Sequence, residues 1–210
     1  KIVFSSSAAV YGISEEEVID ECCKLNPINF YGFTKLECER IIEWYYNIYG
    51  INYICLRYFN VAGDAGLRYI DPNAENIFPI LMEVIKGKRD KFVIFGNDYE
   101  TKDGTCIRDY IDINDLVDAH ILALSTNYNG KINLGTGKGY SVKEIINAFE
   151  ETTGKKIKYE YGTRREGDCE KLVASNSLAK QILDWEPKKD IKEMIKSTYT
   201  AYEDNALGRI

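Results

Sequence analysis

The stretch "NYICLRYFN", Asn52–Asn60, predicts a short β-strand because aromatic, β-branched and apolar residues fill it. The preceding segment, residues 30–49, repeats apolar residues at helical spacing and ends before Gly50, which predicts a helix. The apolar stripe of that helix consists of Leu36, Ile41, Trp44, Tyr45 and Ile48. Residues 2–6, "IVFSS", predict an earlier strand. A strand, a helix and a strand at this spacing are typical of a parallel sheet, so the sequence predicts an α/β fold.

After residue 60 the pattern changes to short strands mixed with helices. Residues 61–76 predict a long polar loop, and loops of that length inside a compact domain are often functional. Further strands are expected at 91–96 and 106–112. Helices are expected at 77–87, at 113–126 with Asn114 as the N-cap, at 141–153, near 175–183 and at 190–204.

Composition narrows the function classes. The 210 residues carry a net charge of −6 without a basic block, so a nucleic-acid partner is disfavoured. No apolar run approaches the ~20 residues of a membrane span, and the first residues do not resemble a signal peptide. Six cysteines without a C-x-x-C pair, beside one histidine, make a metal site improbable. A cytoplasmic protein with reduced thiols, no bound metal and no membrane contact is therefore expected.

The segment "NFYGFTK", 29–35, places Tyr31 and Lys35 four residues apart on one helix face. A cation beside a phenol favours the phenolate, and such a tyrosine could act as a general acid or base. The alternative is a surface tyrosine beside an unrelated lysine, since the chain holds 16 Tyr. Serines 5–7 end the first strand, and ligands of open α/β sheets bind at the carboxyl ends of strands.

Six motifs occur in an order and spacing that resemble one family. They are "SSSAAVYG" (5–12), "YGFTK" (31–35), "LRYFNVAG" (56–63), "IFGNDYETKDGTCIRDYI" (94–111), "NLGTG" (133–137) and "RREGD" (164–168). Together they resemble the extended short-chain dehydrogenase/reductase family of nucleotide-sugar enzymes, and within it the UDP-hexose 4-epimerases. The resemblance implies NAD-dependent inversion at C4 of UDP-galactose or UDP-glucose through a 4-keto intermediate.

The resemblance also implies catalytic and cofactor residues. Tyr31 matches the acid/base that removes the proton of the sugar 4-hydroxyl, and Ser7 matches the hydroxyl near that oxygen. Lys35 matches the residue that binds the nicotinamide ribose and holds the tyrosine ionised. Ser5, Tyr58, Tyr31 and Lys35 are the expected contacts of NAD.

Seven further residues match the positions that bind the substrate in this family, namely Asn60, Asn76, Phe95, Arg108, Arg165, Asp168 and Leu172. Phe95 takes the position beside the uracil. Arg108 and Arg165 take the positions of a diphosphate clamp, which suits the planar, bidentate guanidinium group. Asp168 matches a ribose contact, and Leu172 matches the residue that limits the width of the sugar pocket.

Sibling enzymes differ at the end of the first strand. Nucleotide-sugar 4,6-dehydratases carry Thr-Asp-Glu where this chain has Ser7-Ala8-Ala9, so dehydration is disfavoured. The family's Gly-rich cradle for the NAD pyrophosphate, G-x-x-G-x-x-G, does not occur here. The chain is therefore expected to hold the C-terminal part of a Rossmann-type sheet and to lack activity by itself.

The expected domains are 1–60, the remainder of the NAD-binding part, and 61–210, a smaller mixed α/β domain for the UDP-sugar. Residues 97–135 are expected to return to the first part. A non-catalytic nucleotide-sugar-binding or regulatory protein on the same scaffold remains the alternative function. A homodimer through the helix at 30–49 is a further expectation.

Overall fold

The computed structural model describes residues 1–14, 16–70 and 74–206. The strands are β1 (Ile2–Ser7), β2 (Tyr53–Tyr58), β3 (Asn60–Ala62), β4 (Phe92–Phe95), β5 (Ile107–Asp112), β6 (Gly130–Leu134), β7 (Gly139–Ser141), β8 (Tyr159–Gly162) and β9 (Lys171–Leu172). The helices are α1 (Phe30–Tyr49), α2 (Ile77–Ile85), α3 (Ile113–Ser125), α4 (Val142–Thr153), α5 (Ser177–Leu183) and α6 (Ile191–Ala206). A short 3-10 helix covers Ala8–Val10.

The first sheet has the order β1-β2-β6, and all its strands are parallel. Ile2 lies opposite Tyr53, and Ile54 lies opposite Gly130. α1 connects β1 to β2, as the strand–helix–strand pattern predicts. Apolar residues of β2 and β6 are fully buried and pack with side chains of α3 and α5. The predicted α/β fold with a parallel sheet is confirmed.

The strand predicted at 52–60 is in fact two strands. β2 ends at Tyr58, and β3 begins at Asn60 in a different sheet, where it runs parallel to β5. Between them the Phe59 amide donates to the Leu134 carbonyl at 3.2 Å. β3 also takes the first residues of the predicted loop 61–76, and positions 71–73 of that loop lie outside the described residues. Tyr58 and Asn60 therefore lie where the chain passes from one sheet to the next.

The second half of the chain surrounds a separate core. β3, β5 and β7 form one sheet with β9 beside β5, while β4 and β8 form a parallel pair. α2, α4 and α6 contribute the largest cluster of buried apolar side chains, which includes Leu81, Phe149 and Ile195. The division at residue 60 and the return of 97–135 stay predictions, although β6 does pair with β2.

α1 begins and ends as its sequence indicates. The Asn29 side chain accepts a hydrogen bond from the Gly32 amide at 2.8 Å, and Gly50 closes the helix in the left-handed conformation. A Cβ on Gly32 would lie 2.4 Å from the Ala9 carbonyl oxygen, so only glycine allows α1 to approach the 3-10 helix this closely. The position of the helix thus depends on the "YG" of its first turn.

The apolar stripe of α1 does not line the core. Leu36 is buried, but Ile41, Trp44, Tyr45 and Ile48 are exposed. The spacing identifies the helix correctly, and Leu36 is the one member of this stripe that packs into the core.

α3 shows a second difference from the sequence-based expectation. Its N-cap is Asp112, whose carboxylate accepts a hydrogen bond from the Asn114 amide at 2.8 Å, and not Asn114 itself. An N-cap aspartate satisfies an otherwise unpaired helix amide. Leu116 and Ala119 are buried, whereas Ile121 is exposed.

None of the helices in the described part of the chain is long and apolar enough to cross a membrane. All six cysteines are free thiols.

Candidate functional site

A cleft of about 310 Å³ opens at the carboxyl ends of β1 and β2. Seven of the predicted site residues line it, namely Ser7, Tyr31, Tyr58, Asn60, Arg108, Asp168 and Leu172. β1 supplies Ser7, the first turn of α1 supplies Tyr31, and the passage from β2 to β3 supplies Tyr58 and Asn60. Parallel strands bring these chain segments to one edge of the sheet, as expected for an α/β ligand site.

Lys35 lies one helical turn from Tyr31 and is tied to β1. Its Nζ donates to the Ser5 carbonyl oxygen at 2.8 Å and lies 5.5 Å from the centre of the Tyr31 ring. Ser7 Oγ accepts a hydrogen bond from the Ala9 amide at 3.2 Å, which leaves its hydroxyl proton available to a ligand. Tyr31 is half exposed, at 52%. The Tyr31 phenol is thus open to the cleft and lies near the Lys35 ammonium group, which the Ser5 carbonyl holds in place.

Ser5 and Tyr58, both predicted as cofactor contacts, lie beside the single histidine. His120 Nδ1 is 2.9 Å from the Leu116 carbonyl oxygen, and Nε2 is 3.1 Å from Ser5 Oγ. Because a carbonyl only accepts, the neutral ring carries its proton on Nδ1 and accepts the Ser5 hydroxyl proton at Nε2. The Tyr58 ring lies 6.2 Å from the imidazole. Sequence reasoning missed this histidine as a neighbour of the site.

A second cavity of about 310 Å³ adjoins the first. Among its lining residues are the predicted side chains Asn60, Asn76, Phe95, Arg108, Arg165 and Asp168. Asn60, Arg108 and Asp168 line both cavities, so the two form one elongated cleft. Asn76 occupies the N-cap position of α2 without a capping side-chain bond. The structure therefore brings all seven predicted substrate residues to one cleft.

Arg108 lies at the centre of this cleft. Its Nη1 donates to the Ile107 carbonyl oxygen at 2.8 Å, and its Nη2 lies 3.1 Å from Asp168 Oδ1. The thiols of Cys106 and Cys169 are buried close by, and burial raises the pKa of both. They therefore stay uncharged and leave Asp168 as the anion that pairs with the guanidinium group in this structure.

Arg165 covers the aromatic wall of the second cavity. Its guanidinium carbon lies 3.8 Å from the centre of the Phe95 ring. The neighbouring Arg164 stacks on Tyr99 at 4.1 Å and bonds to Asp98 Oδ1 through Nε at 2.7 Å. Two successive arginines thus dock one loop on the strand–loop segment that bears Phe95.

Asp109, next to Arg108, is fully buried and faces the other way. Its Oδ1 accepts from the Thr136 amide at 2.8 Å and the Thr136 hydroxyl at 2.6 Å. Its Oδ2 accepts from the Gly137 amide at 2.9 Å and the Ala174 amide at 3.1 Å. Burial raises the pKa of Asp109, and these four hydrogen bonds oppose the shift. The carboxylate joins the "NLGTG" turn to residue 174 beneath the cleft.

Asp109→Asn should lower the free energy of unfolding by about 2–4 kcal/mol, because an amide nitrogen cannot accept from two of the four donors. Denaturant unfolding of the 210-residue chain measures the change. Asp118→Asn is the matched control, since the Asp118 carboxylate is half exposed and its contact with Lys188 Nζ is long, at 3.4 Å. An equal loss in both variants would contradict the role given to Asp109.

A buried ion pair behind the site was also missed. Arg57 and Glu39 are each 1% exposed and make two hydrogen bonds with each other, Nε–Oε1 at 2.9 Å and Nη2–Oε2 at 2.5 Å. The signal was present in the sequence, because a charged residue inside a buried apolar strand requires a partner.

Comparison with known proteins bears on this geometry. A family model described as GDP-mannose 4,6 dehydratase matches residues 1–198. The chain belongs to this family. Among its curated relatives, a UDP-glucose 4-epimerase of Halalkalibacterium halodurans is 41% identical over 99% of this chain, and one of Lactobacillus helveticus is 44% identical over 99%. The predicted resemblance to UDP-hexose 4-epimerases is confirmed.

Solved structures agree with the fold of this family member. A UDP-glucose 4-epimerase from Stenotrophomonas maltophila with bound NAD and formylated UDP-arabinopyranose superposes with a TM-score of 0.92 at 35% identity, over 99% of this chain and 64% of that one. One from Bifidobacterium longum in complex with NAD+ and UDP gives 0.89 at 33%, over 98% of this chain and 64% of that one. The chain spans about 65% of the length of the two curated relatives.

Proposed function

We propose that this chain carries the acid/base and substrate-binding part of an NAD-dependent 4-epimerase of UDP-hexoses. The observation behind the proposal is the elongated cleft. One half presents the Tyr31 phenol and the Ser7 hydroxyl, and the other half presents the Arg108 guanidinium and the Phe95 ring. A sugar fits the first chemistry, and a nucleoside diphosphate fits the second.

The proton chemistry belongs to Tyr31. Its phenolate accepts the proton of the sugar 4-hydroxyl and returns it when that hydroxyl forms again on the opposite face. Lys35, held at the Ser5 carbonyl, stabilises the ionised phenol electrostatically. Ser7 donates its free hydroxyl proton to the same sugar oxygen and so holds it at Tyr31.

The residues near Tyr31 also fit the nicotinamide end of NAD. Lys35 Nζ uses one of its three protons for Ser5 and has two left for ribose hydroxyls. Ser5 and Tyr58 lie on the adjacent strand ends, on the side of His120. Bound NAD would supply the hydride acceptor and donor at C4.

The uridine diphosphate lies in the second half of the cleft in this proposal. Arg108 and Arg165 contribute guanidinium groups for phosphate oxygens, and Phe95 contributes a ring face for the base. Asp168 exchanges its contact with Arg108 for a ribose hydroxyl. Asn60 and Asn76 contribute amide groups to the sugar nucleotide, and Leu172 borders the hexose.

The residues that line the Tyr31 half of the cleft favour epimerisation over 4,6-dehydration. The described lining of this half contains Ala8 and Ala9, and the one carboxylate among those lining residues, Asp168, is paired with Arg108. Elimination of water needs a second acid near the leaving hydroxyl in addition to the acid/base at O4, and Asp168 is the one carboxyl group that this described lining offers.

The test uses the protein of natural length with NAD. UDP-galactose is supplied, and proton NMR follows the sugar. Formation of UDP-glucose is the expected result. A bound but unchanged sugar nucleotide would favour the non-catalytic binder, and a 4-keto-6-deoxy product would favour a dehydratase, so either outcome contradicts epimerisation.

Arg165→Ala should change the affinities for UDP and uridine in opposite directions. Loss of a charge-assisted phosphate contact weakens UDP about tenfold or more. Uridine has no phosphate and therefore loses no contact of this kind. In the variant the base no longer has to displace Arg165 from the Phe95 ring, a cation–π contact of about 0.5–1 kcal/mol, so the affinity for uridine rises about two- to fivefold. Isothermal titration of the 210-residue chain measures both, with the exposed Arg40→Ala as control. A parallel loss for both ligands would exclude this exchange at Phe95.

We further propose a homodimer, a cytoplasmic location and a role in galactose metabolism. The exposed aromatic and aliphatic face of α1, with Trp44 and Ile48 at its centre, supports the dimer. Six free thiols agree with a reducing compartment.

A further inference from the structure

α1 covers one face of the sheet, yet most of its large apolar side chains face solvent rather than the sheet. Of its 20 residues only Gly32, Leu36 and Glu39 are buried. Its large apolar side chains, such as Trp44 and Ile48, point to the surface and are more than 60% exposed. Apolar burial is non-directional, and here it involves one fully buried leucine, the partly buried Cys38 and Ile42, and the Tyr46 ring against Tyr53 of β2. These few contacts constrain the rotation and the axial position of the helix less than directional bonds do.

Directional bonds fix α1 instead. Glu39 receives the Arg57 fork from β2 and the Ser6 hydroxyl from β1, the latter at 2.5 Å. Arg57 Nη1 donates to the Tyr11 hydroxyl oxygen at 3.0 Å, and Tyr11 donates to Asn133 Oδ1 on β6 at 2.7 Å. Burial raises the pKa of Tyr11 to about 12, so its hydroxyl keeps the proton that it donates.

We propose that Glu39 and Arg57 are positioning residues that fix the register of α1 on the sheet for the reaction at Tyr31. This inference rests on the proposed function. Glu39 follows Lys35 by one turn and Tyr31 by two, on the same side of the helix. A slip of one residue would move both by about 1.5 Å along the axis and turn them by about 100°. Lys35 would then leave the Ser5 carbonyl, and displacements near 1 Å cost about 10²-fold in rate.

The alternative is a pair that only stabilises the fold. Replacing a buried ion pair by apolar side chains is often neutral or stabilising, because the desolvation cost of both charges disappears. The variant Ser6→Ala/Glu39→Leu/Arg57→Met therefore separates the two roles, because it replaces the ion pair by apolar side chains. It includes Ser6→Ala because the Ser6 hydroxyl donates to Glu39 and would otherwise be left without an acceptor. Tyr11 retains Asn133 in that variant.

In the protein of natural length, the triple variant should keep its melting temperature within about 3 °C. Its kcat should fall about 100-fold. Its KM for UDP-galactose should change less than about threefold, because uniform binding resides in the cleft of Phe95, Arg108 and Arg165, away from α1. Its crystal structure should show Lys35 Nζ outside hydrogen-bond reach of the Ser5 carbonyl oxygen.

The matched control is Glu43→Leu/Lys131→Met. Glu43 lies one turn further along α1 and pairs with Lys131 of β6 at 2.9 Å, but the two side chains are 45% and 24% exposed. This variant removes the same charges between the same helix and sheet, and kcat should stay within about twofold because exposed pairs contribute little.

A full kcat with the 2.8 Å Lys35–Ser5 contact intact in the triple variant would overturn the proposal. Should that variant not fold, Arg57→Lys decides, since it keeps the charge and loses the fork. A kcat about tenfold lower at constant KM supports positioning, and an unchanged kcat overturns it. If the wild type does not interconvert UDP-hexoses, the proposed function fails, and the crystal structures still decide the role of Glu39 and Arg57.

Discussion

Tyr31→Phe should lower kcat for the conversion of UDP-galactose to UDP-glucose by about 10²–10⁴-fold, the usual contribution of a general acid or base. The phenyl ring keeps its place in the cleft, and only the oxygen that carries the proton is lost. KM should change less than about threefold, because the nucleotide is held by residues outside α1. Steady-state rates of the natural-length protein with NAD measure the effect.

Tyr45→Phe is the control for this variant, since Tyr45 lies on α1 but points to the surface and is half exposed. It should retain the wild-type rate. Lys35→Met should also lower kcat, because the phenolate loses its neighbouring cation while the Tyr31 oxygen remains. A wild-type rate in Tyr31→Phe would remove Tyr31 from the mechanism, whatever the other variants show.

Local pattern was sufficient for the elements that build this site. The predicted helix at 30–49, closed by Gly50, has the bounds of α1 in the structure, and Ser5–Ser7 end the first strand in both. The family motifs then placed the substrate residues, which the structure collects in one cleft. These residues lie on β3, β4, β5 and the loop before β9. Their meeting in one cleft could not be derived from sequence spacing, because it depends on the pairing of strands that are far apart in the chain.

The split between β2 and β3 was out of reach for a different reason. "NYICLRYFN" is continuously apolar and aromatic apart from Arg57 and its terminal asparagines, so composition cannot distinguish one strand from two. The chain turns at Phe59 because its amide pairs with the Leu134 carbonyl of β6. Similarly, periodicity identified α1 as a helix but could not show which face is buried, since the inward face depends on Arg57, which lies 18 residues after Glu39.

Arg57→Ala should lower the free energy of unfolding of the 210-residue chain by about 3–5 kcal/mol. The substitution leaves the Glu39 carboxylate fully buried with the Ser6 hydroxyl as its remaining donor and Tyr11 without the guanidinium group. An unpaired buried charge is the largest penalty available at this position, and it exceeds the loss of the arginine's own contacts. Urea unfolding followed by far-UV circular dichroism measures it.

Lys131→Ala is the comparison, because its partner Glu43 is 45% exposed and water can take the place of the ammonium group. That variant should lose no more than about 1 kcal/mol. The Ser6→Ala/Glu39→Leu/Arg57→Met variant should recover most of the stability lost in Arg57→Ala, since it removes the orphaned charge together with its partner. A loss below about 1 kcal/mol in Arg57→Ala would mean that the carboxylate reaches water, and the pair could then not fix α1 as proposed.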